Sequence, residues 1–148
     1  MRKLMQASLI ALILAAPAAM AQNTSPAGTW KTIDDETGKP KSLVRITEEN
    51  GVLTGKIEKL FRPADQDQNP KCTACEGARK DQPIIGMTIL SGLKKDGNEY
   101  TGGEILDPSK GKTYKSKAAL KDNGSKLEVR GYIGAPMFGR SQIWVREQ

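Results

Sequence analysis

The chain has no histidine, only two cysteines in 148 residues, and an aromatic content of 5%. The missing imidazole excludes Ser-His-Asp and Cys-His catalysis, histidine-based zinc sites and pH sensing by a histidine. Catalysis, if any, would fall to carboxylates, Lys, Tyr or Cys. Beyond residue 21 there is no second long apolar run, so the mature chain is expected not to insert into a membrane. No five basic residues run together, and stacking rings are scarce. Both facts argue against a nucleic-acid surface, which needs a concentrated basic patch interleaved with aromatics. No segment suggests a helix of normal length.

The front of the chain carries a distinct signal. Arg2 and Lys3 give a positive start, Leu4 to Leu14 is almost wholly apolar, and Ala19-Met20-Ala21 is a small-x-small cleavage site. Residues 1–21 therefore read as a secretory signal peptide, and residues 22–148 as one folded domain in the periplasm or outside the cell. No cysteine lies near the cut, which argues against a lipoprotein anchor. Arg2 and Lys3 leave with the leader, so the mature chain keeps 21 of the 23 basic residues against 17 acidic ones. That excess suits a solubilising surface.

Turn signals recur through the rest of the chain, separated by segments rich in β-branched and aromatic residues. Eight strands are expected: Gly28–Ile33, Lys41–Glu48, Val52–Phe61, Ile84–Leu93, Glu99–Leu106, Lys112–Lys121, Ser125–Ile133 and Arg140–Arg146. Asn50-Gly51 is a strong hairpin turn because both residues tolerate positive φ. Gly102-Gly103 suggests a bulge or a barrel corner. A long polar loop, Arg62 to Gln82, separates the third and fourth strands and has room for a short helical turn. Eight strands joined by tight hairpins suit an all-β, antiparallel, up-and-down barrel, with a two-sheet sandwich as the alternative. An eight-stranded interior is either filled by side chains or holds one small ligand.

Gly28-Thr29-Trp30 opens the first strand, and Arg140 and Arg146 sit on the last. This resembles lipocalins, which begin the barrel with Gly-x-Trp and lay an arginine from the last strand across that ring. Gly102-Gly103-Glu104-Ile105-Leu106-Asp107-Pro108 with Gly111-Lys112-Thr113-Tyr114, and Val129-Arg130-Gly131-Tyr132-Ile133-Gly134 with Gly139-Arg140-Ser141-Gln142-Ile143-Trp144-Val145-Arg146, resemble the signatures of one family. That family is a group of small secreted bacterial proteins of undefined activity, domain of unknown function 2147. The resemblance implies a lipocalin-like (calycin-type) barrel and export, and leaves the activity open.

Cys72-Thr73-Ala74-Cys75 reads as a disulfide staple in an oxidising compartment, with a redox-active pair as the sharper alternative. Haem attachment would need histidine where Glu76 stands, and zinc would need further soft ligands. Asp65, Asp67, Asn69 and Glu76 match a calcium-loop spacing, but Pro70 occupies the position that needs glycine. No metal and no cofactor are expected. Gly111-Lys112-Thr113 lacks the upstream glycine of a phosphate loop, Ser91-Gly92-Leu93-Lys94 lies at a strand end rather than on a helix, and Glu104 and Asp107 fall on opposite strand faces.

The remaining candidates for binding are Trp30, Tyr114, Arg130, Tyr132, Arg140 and Trp144. Arg130 and Tyr132 share one strand face; Arg140, Gln142, Trp144 and Arg146 share another. Facing inward, either set would line a pocket for a small amphipathic or anionic molecule. The alternation of Leu127, Val129 and Ile133, and of Ile143 and Val145, favours the aliphatic faces for burial and turns these sets outward. The leading expectation is an exported, non-enzymatic barrel that binds a small, partly apolar molecule. The alternative is a cell-envelope structural or protein-interaction module with a filled core, its protein partner undefined.

Overall fold

The computed structural model describes residues 25–147. The expected leader, residues 1–21, lies outside them. The described chain forms eight strands: β1 Gly28–Ile33, β2 Pro40–Glu49, β3 Val52–Leu60, β4 Thr88–Asp96, β5 Glu99–Asp107, β6 Lys112–Lys121, β7 Lys126–Tyr132 and β8 Gly139–Arg146. Each strand pairs antiparallel with the next, and β8 returns to pair with β1, so the sheet closes into a barrel in chain order. The sandwich alternative is thereby excluded. Closure removes the two free edges that an open sheet would present to other chains.

Period-two alternation decides the inner face. Val44 and Ile46 on β2, Leu53 and Ile57 on β3, Leu90 and Leu93 around the β4 irregularity, and Leu127 and Val129 on β7 are all buried. The β2–β3 turn carries Asn50 and Gly51 at φ 52° and 76°, the left-handed pair that matches the twist of its strands. Gly103 sits where β5 slips register between Tyr100 and Gly103. A Cβ there would lie 2.6 Å from both Leu93 Cγ and the Ser91 carbonyl oxygen, so only glycine lets β4 and β5 approach at this corner.

Two expectations need correction. The fourth strand begins at Thr88, not Ile84. Pro83 cannot donate to a ladder, Gly86 takes φ 91°, and Met87 N–H bonds back to the Ile84 carbonyl, so the chain is still turning there. The long connection therefore runs to Met87, with one 3-10 turn at Gly77–Arg79. The second correction concerns β8. Trp144 is buried, whereas Ile143 and Val145 on the opposite face are 41% and 36% exposed. Ile133 is also exposed, beyond the end of β7. The barrel buries the large ring on the β8 inner face, and the β-branched pair remains outside as ordinary strand surface.

Candidate functional site

The two ends of the barrel differ. At the end where β1 starts and β8 finishes, Trp30 is fully buried and its Nε1–H donates to the Pro26 carbonyl at 2.7 Å. Trp30 and Arg146 are direct cross-strand partners. The Arg146 guanidinium lies 4.3 Å from the centre of the Trp30 ring. Its donors reach the carbonyls of Gly124 (2.7 Å), Ala27 (2.9 Å) and Ser25 (2.7 Å). One side chain thus ties the segment before β1, the β6–β7 connection and the end of β8 together. Burial lowers the Arg146 pKa from its ordinary value, but the group stays charged because arginine starts so high. Arg146, not Arg140, closes over Trp30.

The other end is open. A cavity of about 340 Å³ enters between the β1–β2, β5–β6 and β7–β8 connections. Its apolar wall is Ile57, Leu60, Ile89, Ile105 and Leu106, from β3 to β5, with Val129 and the Trp144 ring deeper in. Its polar wall is Ser42, Thr32 and Gln142, on β2, β1 and β8. The Thr32 and Ser42 hydroxyls are 2.6 Å apart and satisfy each other. Trp144 Nε1–H points to Gln142 Oε1 at 3.4 Å. The mouth is edged by Lys41, Asp107, Lys110 and Arg140, with Ile133 and Phe138 beside them. Arg140 Nη2 contacts Asp35 Oδ2 at 2.9 Å, which anchors the β8 start to the β1–β2 loop.

Among the six candidate residues, four line this cavity: Tyr114, Tyr132, Arg140 and Trp144. Trp30 sits at the opposite, closed end. Arg130 lies outside the cavity; it donates to the Pro136 carbonyl (2.6 Å), the Gly139 carbonyl (3.1 Å) and Ser141 Oγ (3.0 Å). It braces the β7–β8 connection from the outer face. Lys41, Lys110, Phe138 and Gln142 also line it and were not among those candidates. The alternation of β8 held the only signal for Gln142; the others come from strand ends and turns.

Cys72 and Cys75 form a disulfide, and both are buried. The loop they close packs against the β5–β6 turn that edges the mouth. Cys72 Sγ lies 3.5 Å from the Pro108 carbonyl oxygen. Gly111, at φ 65°, faces Ala74 so closely that a Cβ would fall 1.9 Å from its carbonyl oxygen. The staple therefore supports one side of the entrance. Among the described residues, no three Asp, Glu or Cys side chains gather in a way that holds a metal ion, and no helix is long and apolar enough to cross a membrane.

Comparison with known proteins agrees with this architecture. The barrel is similar to a solved structure described as protein HP1028 from the human pathogen Helicobacter pylori, belonging to the lipocalin family. The two share 24% sequence identity over 84% of each chain, with a TM-score of 0.70. At that identity the likeness establishes the fold. No curated protein matches the sequence. The family model for uncharacterized proteins conserved in bacteria, DUF2147, matches residues 28–146, from the glycine before Trp30 to the arginine over it, and the chain belongs to that family.

Proposed function

We propose that this is an exported, non-enzymatic barrel that binds one small, partly apolar molecule in the periplasm or outside the cell. The observation that carries the reading is the cavity itself. At about 340 Å³ it falls near the lower end of the range typical of small-molecule sites, and its walls are mainly aliphatic and aromatic with a few placed polar groups. The closed end, filled by buried side chains such as Trp30 and Leu127, gives the cavity its floor. Export rests on the leader-like residues 1–21, and the buried disulfide is of the kind that persists in oxidising compartments.

A second reading has its own support. Ile133, Met137 and Phe138 are 58%, 76% and 70% exposed around the β7–β8 connection, an apolar rim that suits a protein partner. Native mass spectrometry of the exported protein, set against its denatured mass, separates the two. A reproducible adduct lost on denaturation is the expected result. A bare native mass, with a second protein retained through purification, overturns the binding reading in favour of an interaction module. The denatured mass also tests cleavage after Ala21.

A further inference from the structure

We infer that the ligand is a small single-chain amphiphile with one anionic group. Its apolar body lies along the β3–β5 wall, and its charge sits at the mouth between Lys41, Lys110 and Arg140. This rests on the binding reading above and sharpens it.

The size follows from the volume: about 340 Å³ lies near the lower end of the range for small-molecule sites and suits one short chain.

The orientation follows from what is already satisfied. Inside the cavity the Thr32 and Ser42 hydroxyls bond to each other, and Gln142 accepts from Trp144. The interior therefore asks little of a ligand's polar atoms, and its apolar wall accepts a hydrocarbon body. At the mouth the balance reverses. Among the described residues, neither Lys41 nor Lys110 is ion-paired. Arg140 meets Asp35 through Nη2 alone, which leaves its Nε and Nη1 donors without a partner among the described residues. The one carboxylate lining the mouth, Asp107, is engaged in its own turn, where Oδ1 accepts the Ser109 N–H at 2.9 Å. Lys41, Lys110 and the two open donors of Arg140 can hold an anionic head with charge-assisted hydrogen bonds, even with Asp35 on Arg140 and Asp34 near Lys41. A neutral head gains only hydrogen bonds from these donors, and a cationic head gains neither.

Calorimetric titration of the mature, delipidated protein with three probes of one chain length tests this: decanoate, decan-1-ol and decyltrimethylammonium, each kept below its micelle concentration. Decanoate should bind about tenfold or more tighter than decanol, the scale of one charge-assisted contact, and decyltrimethylammonium weakest. In the Lys41→Gln/Lys110→Gln/Arg140→Gln variant, decanoate should lose that advantage while decanol affinity changes less than about twofold, and raised salt should weaken decanoate in the native protein only. Circular dichroism of the variant confirms the fold. Equal binding of decanoate and decanol, or a preference for the cation, overturns the anionic assignment and leaves cavity binding standing. Failure of all three probes overturns both.

Discussion

Replacing Arg146 with alanine should cost about 3 kcal/mol of folding stability. The figure is built from the contacts it makes. Hydrogen bonds from a charged donor contribute about 1.5–3 kcal/mol when shielded and less when wet. Two of the three carbonyl bonds, to Gly124 and Ser25, are partly buried, and the third, to Ala27, is exposed. A cation over an indole face at a half-buried site adds about 0.5–1 kcal/mol. Water can reach the abandoned carbonyls, which keeps the total toward the lower end. For a domain of this size the loss corresponds to a fall in Tm of roughly 10 °C. Arg146→Lys keeps the charge and loses the planar fork that serves three carbonyls from one side chain, so it should cost about half as much. Arg140→Ala is the control, because it breaks only an exposed pair with Asp35 worth about 0–1 kcal/mol. Thermal and urea unfolding followed by far-ultraviolet circular dichroism reads all three, and a cycle with Trp30→Phe isolates the ring–guanidinium coupling, expected near 1 kcal/mol. If Arg146→Ala unfolds with a Tm within about 2 °C of the native protein, or if Arg140→Ala is equally damaging, then the closed end is not held by Arg146.

Gly111→Ala should destabilise by about 2 kcal/mol or more and loosen the stapled loop, because the new Cβ would collide with the Ala74 carbonyl at a positive φ; unchanged stability and unchanged proteolysis around Cys72–Cys75 would remove the claimed contact. Tyr100 is buried, and burial first, then the nearby Glu48 charge, raises its pKa above the ordinary 10.0. Its neutral form is favoured in the folded state, so its contribution is intact below the unfolded tyrosine pKa and is lost as pH rises through the folded value. In a Tyr114→Phe/Tyr132→Phe background, phenolate absorbance should therefore appear later in the folded protein than in urea, and coincident curves would contradict the burial.

The barrel was legible because its information is local. Asn50-Gly51 marked a hairpin before any tertiary contact was considered, and the buried Val44, Ile46, Leu53 and Ile57 follow period-two alternation along β2 and β3. Where a strand start depends on competing bonds, as at Ile84 to Met87, composition misled: Ile84 is β-branched, yet its carbonyl is used in a turn. On β8 the ambiguity was physical. Both faces carry apolar residues, and the choice between Trp144 and the Ile143–Val145 pair is made by what the facing strands leave room for. Arg140 and Arg146 share that face, so parity cannot say which covers Trp30; only the register that sets Arg146 opposite Trp30 decides it. The mouth was less legible still, since Lys41, Lys110 and Phe138 come from a strand end and two separate turns brought together only by closure.

The cavity exists where it does because of which residues take the inward positions, not because eight strands leave a void by themselves. Toward the closed end those positions hold Trp30, Ile46, Leu53, Leu93 and Leu127, each essentially without solvent exposure, and the space is full. Toward the open end the corresponding positions on β1, β2, β7 and β8 hold Thr32, Ser42, Gly131 and Gln142. Two of these are small hydroxyl residues, so the wall recedes at Thr32 and Ser42, while Ile57, Leu60 and Ile105 keep the β3–β5 side apolar. A chain selected only to be a stable barrel would gain about 0.8 kcal/mol for each methylene added and buried at such sites. The use of Ser42 and Thr32 instead gives up that stabilisation along one wall, beside a mouth where Lys41 and Lys110 have no ion-pair partner among the described residues. Both features lie at the same end of the barrel, and the proposed anionic amphiphile would account for both.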